Sequence, residues 1–452
     1  MFSELRNESG QVRFNFGVLM AFLLVLLFFG GASRADVIGQ AVVRIAAILV
    51  LVLSAVQFDR RALARVRTPA ILLACMAAAV AIQLIPLPPA AWASLPGRTV
   101  YADALRLAGV APVWRPISIT PDLTLNALLA LLPSCAALSL LALLPRKHQP
   151  SVLSLLLIAI AISTIIGILQ IATGGPYLYQ ITNSGSAVGS FANRNHSALF
   201  VAMALPLLAG WISLPRSHDR KAAIRFWVAL CAAAVVFPVL LVTGSRGGLL
   251  LGVIGIAAAV AMTLPRWRMP RRSRLAALAA AFVLILATAA IFALSSRNEA
   301  LRRLLAGDDS DVRSDLLPTF ISMITEYFPI GSGFGSFDPV YRMFEPHANL
   351  ELAYLNQAHN DWAQILIEGG LPALLVLLAA VTWLVMRGFK AWRTPRPGAI
   401  IAKTASVMVG MIGISSLFDY PLRTPLIGTV FAVAAAWLAQ DFERDDGRPH
   451  AP

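Results

Sequence analysis

Three short polar segments carry the residue types that could do chemistry in this chain. Asn193-Arg194-Asn195-His196 opens an apolar run, and Ser245-Arg246-Gly247-Gly248 joins two apolar runs with almost no intervening chain. His359-Asn360-Asp361-Trp362 closes the only long polar stretch, residues 295–361. If the three converge, two guanidinium groups and at least one imidazole meet at one membrane face. A guanidinium is a planar, permanently charged fork that matches phosphate oxygens two at a time. An imidazole exchanges a proton near neutral pH. The combination suits an anionic, lipid-carried substrate.

The elements that must position these residues are membrane helices. The 452-residue chain is 58% hydrophobic and 13% charged, with a mean hydropathy of +0.74. The apolar residues fall in blocks of about 20, the length that crosses a bilayer as helix. About twelve such blocks can be drawn: 14–32, 40–56, 69–86, 123–144, 151–173, 196–213, 222–242, 247–264, 275–294, 362–386, 399–418 and 421–439. The fold expected is therefore all-α, a polytopic helical bundle forming one membrane domain over 1–452. A polar loop at 295–361, carrying short helices, separates spans nine and ten.

Lys and Arg crowd the alternate short loops, most densely in Pro265-Arg266-Trp267-Arg268-Met269-Pro270-Arg271-Arg272-Ser273-Arg274. The positive-inside rule puts those loops and both termini in the cytoplasm. All three polar segments then face outward. The net charge of +14 follows from this topology and from attraction to anionic headgroups, so nucleic acid is not an expected partner. The first apolar run is longer than a usual signal-peptide core and reads as a span. Cys75, Cys135 and Cys231 lie inside spans, lack metal-ligand spacing and read as packing residues.

Each outward loop has a plain reading beside a functional one. Trp92, Trp114 and the prolines of loop 87–122 read as an interfacial anchor. Asn195 or Ser197 would serve as a helix N-cap, and the glycines and Arg194 beside them could shape an anion site. Arg246 in so tight a turn is costly to desolvate without an anionic partner. Residues 311–327 have helical periodicity and would lie on the membrane or cap the bundle. Gly331-Ser332-Gly333-Phe334-Gly335 reads as a flexible turn, and a second short helix is expected over 346–357. Asp361, Gln364 and Glu368 share one helix face, with Glu368 about 10 Å below Asp361. An acid at that depth is functional or paired, and Arg44 and Lys403 are the candidate partners.

Taken together, these segments resemble the O-antigen ligase and polymerase family of bacterial membrane glycosyltransferases. The features are Gly189-Ser190-Phe191-Ala192-Asn193-Arg194-Asn195-His196, then Ser245-Arg246-Gly247-Gly248, then a long outward loop running through Pro329-Ile330-Gly331-Ser332-Gly333-Phe334-Gly335 to His359-Asn360 and Glu368-Gly369-Gly370. The resemblance is close over 185–375 and architectural before that. It implies a site on the periplasmic side of the bacterial inner membrane, an undecaprenyl-pyrophosphate-linked glycan as donor, and inverting transfer without metal or other cofactor. The acceptor would be the lipid A–core for a ligase, or a lipid-linked repeat unit for an O-antigen or exopolysaccharide polymerase; the ligase is taken as the first reading. The resemblance makes His359 the general base. Arg246 and Arg194, with Arg313 as a third, would hold the pyrophosphate, and Asn193, His196, Ser245, Asn360, Asp361 and Glu368 would support them.

A transporter or flippase is the competing class. Such proteins carry charges near the bilayer midplane, often in repeated halves. Here the polar groups gather at one face and no repeat is visible, which favours a one-sided site.

Overall fold

The computed structural model describes residues 9–57, 60–214, 222–263, 316–347, 350 and 355–440. Among these residues nine helices are long and apolar enough to cross a membrane, and two further apolar helices are shorter. The protein is an all-α polytopic membrane bundle, as its hydropathy requires. Span 275–294, the basic loop before it, and Arg313 lie outside the described residues.

In chain order the bundle helices begin with α1 (Gly10–Phe29), α2 (Ile38–Ala55) and α3 (Arg67–Ile82). Span four is two pieces, α4 (Pro121–Leu129) and α5 (Leu132–Leu143), the second beginning just ahead of Pro133. Then follow α6 (Gln149–Thr173), α7 (Arg194–Ala202) and α8 (Ala204–Ser213), the last two divided at Met203, three residues before Pro206. α9 (Ala222–Thr243) and α10 (Arg246–Thr263) precede the polar loop. The loop supplies α11 (Leu317–Tyr327) and α12 (Phe337–Phe344). The chain closes with α13 (Asp361–Arg393), α14 (Ile400–Ser415) and α15 (Pro425–Ala439).

The best-buried helices are α7, α8 and α15. α15 packs on α5 and α14, α8 on α10 and α14, and α7 on α9 and α10. Helices on the outside of the bundle leave Ile45, Leu49, Val52, Leu375 and Val385 uncovered, as expected of surfaces that meet lipid. Small residues let the helices approach: a methyl group at Gly248 would overlap Ala198 of α7.

α13 is the element that organises the site. Its N-cap is Asn360, whose side chain accepts the Ala363 N–H at 3.1 Å. At Gly370 the backbone leaves the helical region (φ 55°, ψ −146°), and Pro372 follows. The break strands carbonyls that a continuous helix would satisfy. Gly331-Ser332-Gly333 answers them: Ser332 N–H donates to Ile367 O and Gly333 N–H to Glu368 O, each at 2.9 Å. In return Leu371 N–H donates to Pro329 O. The glycine-rich segment is thus a clamp on a broken helix, which corrects its reading as a flexible turn. Gly333 has φ +112°, and a methyl there would overlap Ser118 Oγ. Gly333→Ala is expected to destabilise the protein by about 1–3 kcal/mol, visible as a lowered melting temperature in detergent.

Elsewhere in the polar loop, α11 packs on α13 and buries Leu316, Phe320, Met323 and Tyr327, while Leu317 and Ile321 of the same helix are exposed. α12 precedes the stretch 346–357, where a short helix was expected and of which 348–349 and 351–354 lie outside the described residues. Arg98 ties this loop to residues 86–117. It is wholly buried and donates to Pro96 O, Ile117 O and Gly331 O. Trp92 is also buried, donating to Pro116 O across a two-residue antiparallel ladder, so it is not an interfacial anchor; Trp114 remains exposed.

Candidate active site

His359 does not belong to α13. It sits just before the N-cap with φ +48°, a left-handed backbone uncommon for a residue with a side chain. Neighbouring bonds hold it there. Gln364, fully buried one turn into α13, accepts the Ala358 N–H at 2.9 Å and donates to Gln357 Oε1 and Glu368 Oε1. The chain on both sides of His359 is therefore fastened to one helix turn.

The partner of His359 comes from the connection between α14 and α15. Asp419 is completely buried, and its Oδ1 lies 3.5 Å from His359 Nδ1. The same oxygen lies 3.5 Å from His196 Nε2, on the first turn of α7. Asn193 Nδ2 approaches Asp419 Oδ2 at 3.4 Å, and the Tyr420 N–H donates to Oδ1 at 2.9 Å. Tyr420 meets both imidazoles edge-on, with ring centroids 5.1 Å from His196 and 4.8 Å from His359. Burial works to raise the Asp419 carboxyl, but the two imidazoles outweigh it and hold it well below the usual carboxylate range. His196 is sealed, whereas the His359 side chain is 23% exposed. Of the two, only His359 can meet a ligand.

A second cluster adjoins the first. Arg423, in the one-turn helix Pro421–Arg423, donates from Nε to Asp361 Oδ1 and from Nη2 to Glu368 Oε2, both at 3.2 Å. Burial acts to lower the Arg423 pKa, but the two carboxylates raise it. Ser416 Oγ adds a bond to Asp361 Oδ2. The shared face of Asp361, Gln364 and Glu368 is as predicted. The partner of Glu368 is not: Arg44 bonds Asn126 Oδ1 at 2.6 Å, and the Lys403 ammonium lies 5.8 Å from the Trp392 ring centre. Neither can replace the nearby Arg423.

The remaining candidates lie around this centre. Asn193, rather than Asn195 or Ser197, caps α7, accepting the Asn195 N–H at 2.8 Å while its amide reaches Asp419. Arg194 follows it, partly exposed, with its N–H on Asn183 Oδ1. Ser245 caps α10 by accepting the Gly248 N–H at 3.0 Å. Arg246 is exposed at the first position of α10, so the desolvation argument made for it does not hold. Its turn is nonetheless close: a side chain at Gly247 would overlap Phe418, the residue before Asp419. The structure gathers Asn193, His196 and His359 around Asp419 and joins Asp361 and Glu368 through Arg423 in the adjoining cluster, with Asn360 as the N-cap of α13 between His359 and Asp361. It sets the backbones of Arg194 and Arg246 beside it.

Asp419, Tyr420 and Arg423 are the site residues that sequence reasoning missed. They occupy a connection of a few residues between two apolar runs, read as a tight turn. An acid and an arginine in so short an outward turn were the available signal. Among the described residues no three His, Cys, Asp or Glu side chains are arranged to hold a metal ion.

A cavity of about 540 Å³ opens beside the second cluster. Asn356, Gln357, Asp361 and Arg423 line its polar end. Its apolar part lies between α3, α5, α13 and α15, and reaches Trp383.

Fold and site define a polytopic helical membrane protein with a buried acid–imidazole centre at one end of the bundle, next to a largely apolar cavity. Residues 231–378 match the family model described as O-antigen ligase. The match contains Arg246, His359, Asp361 and Glu368 and stops short of Asn193, His196, Asp419 and Arg423. A search of curated proteins finds no match. That match supports a membrane glycosyltransferase-like function.

Proposed function

We propose that the protein transfers a glycan from undecaprenyl pyrophosphate to an acceptor hydroxyl, the lipid A–core, at the periplasmic face of the bacterial inner membrane. The observation that carries this reading is the accessible His359 held against a buried, ionised Asp419. A carboxylate facing Nδ1 keeps a proton on that nitrogen and leaves Nε2 basic. Nε2 takes the proton of the acceptor hydroxyl as its oxygen attacks the anomeric carbon. The bond from that carbon to the phosphate oxygen breaks, its electrons leave with the pyrophosphate, and configuration inverts. Arg194 and Arg246, with Arg313 as a further candidate, hold the pyrophosphate and offset the charge that develops on it. No step in this scheme needs a metal ion. The cavity beside Arg423 supports a lipid-borne substrate, since it joins a polar mouth to an apolar interior.

A glycan profile of a strain lacking the gene tests the reading. Finished polymer accumulating on the lipid carrier, with bare lipid A–core, is the result expected of a ligase. Single lipid-linked repeat units without long polymer would mean a polymerase instead. An unchanged surface glycan with no lipid-linked intermediates would overturn both.

A further inference from the structure

His196 is too buried to touch a substrate, yet its Nε2 faces the same Asp419 oxygen as His359 Nδ1, each at 3.5 Å. Neither nitrogen makes an aligned hydrogen bond. A nitrogen directed at an ionised carboxylate carries a proton, so His196 presents Nε2–H to Asp419. Its backbone is fixed independently of Asp419. It stands on the first turn of α7, capped by Asn193. The other groups around Asp419 cannot do the same work. Asn193 is on the opposite oxygen at 3.4 Å, and the Tyr420 N–H belongs to the adjacent residue and turns with it. Arg423 is engaged by Asp361 and Glu368.

We propose that His196 is a positioning residue: by sharing Asp419 Oδ1 with His359, it fixes the carboxylate so that His359 holds a single tautomer, with Nδ1 protonated and Nε2 free to accept. Resting on the glycosyl-transfer reading above, this gives the sealed imidazole an orienting role and the exposed one the proton transfer. Two imidazoles on one carboxylate divide the labour because only one of them can reach water or ligand.

Three variants and two readouts test it. The first readout needs no substrate: ¹⁵N spectra of histidine-labelled full-length protein in detergent, with the His359 signals assigned by their loss in His359→Asn. In the wild type, His359 is expected to give the Nδ1–H tautomer alone. In His196→Leu, Asp419 loses a fixed donor and the His359 signals should become those of a tautomer mixture. In His196→Gln, whose amide restores an N–H, the single tautomer should return. The second readout is transfer in proteoliposomes supplied with undecaprenyl-pyrophosphate-linked glycan and lipid A–core. There His196→Leu should lower kcat by about 10–100-fold with KM for the donor little changed, and His196→Gln should recover most of the loss. An unaltered His359 tautomer in His196→Leu would overturn the proposal, whatever happens to activity. If His196→Leu does not fold, His196→Asn takes its place, since its shorter side chain should leave the mixture that His196→Gln removes. Equal spectra for Gln and Asn would also overturn it. A tautomer response with no transfer of this glycan would leave the positioning role standing and sink the assigned reaction.

Discussion

His359→Asn is expected to lower glycosyl transfer by about 10²–10⁴-fold while leaving the melting temperature close to that of the wild type. Asparagine is the informative replacement because it tolerates the left-handed backbone that His359 adopts at φ +48°. His359→Ala removes the same base but adds backbone strain, so its loss of activity would mix two causes. Asp419→Asn should fall in the same range of activity loss. Its amide can offer a hydrogen to His359 Nδ1 and favour the wrong tautomer. The acid limb of the wild-type pH–rate profile should not follow the Asp419 carboxylate. Asp419 is held well below the usual carboxylate range. Its ionised form contributes stability above that range, and the contribution is lost only as pH falls through the lowered value. Around neutral pH it stays charged. Full transfer by His359→Asn in purified, reconstituted protein would remove His359 from the chemistry.

Particular residues show what the sequence made legible. The helices were legible because a bilayer demands apolar runs of fixed length, and within the described residues the runs were drawn close to where helices form. His359, Asn193 and His196 were legible because polar residues at the mouth of an apolar span are conspicuous. Asp361 and Glu368 were placed on one face by helix periodicity alone, and that face exists because α13 is regular up to Gly369. Periodicity carries no information about what lies across from it. Arg44 and Lys403 were named as partners of Glu368 from their charge and depth, whereas the real partner arrives from a connection more than fifty residues further on. The clamp of Gly331-Ser332-Gly333 on the broken helix was invisible for the same reason. Its glycines announce an unusual backbone, and only the third dimension reveals the carbonyls they satisfy. Trp92 misled because tryptophan near a span end usually faces the interface, and here a local ladder buries it instead.

Arg423 carries the largest expected effect on stability. Among the described residues it is the one cation bonded to Asp361 and Glu368, both nearly or wholly buried. Removing it leaves two carboxylates in a low-dielectric setting with, among the described residues, only Ser416, Gln364 and a backbone N–H as donors. Breaking a buried pair in this way costs about 3–5 kcal/mol, so Arg423→Leu should unfold well below the wild type in a detergent melt. The triple variant Arg423→Leu, Asp361→Asn, Glu368→Gln removes the stranded charges along with the cation. It should recover much of the lost stability, because an uncompensated charge is the source of the penalty. Activity should not recover with it. Arg423 fixes the short turn that begins at Asp419, so the triple variant would fold with Asp419 less firmly aimed at His359. A triple variant no more stable than Arg423→Leu would mean that the arginine acts by packing rather than by charge. One that regained full transfer would show that the turn holds Asp419 in place without it.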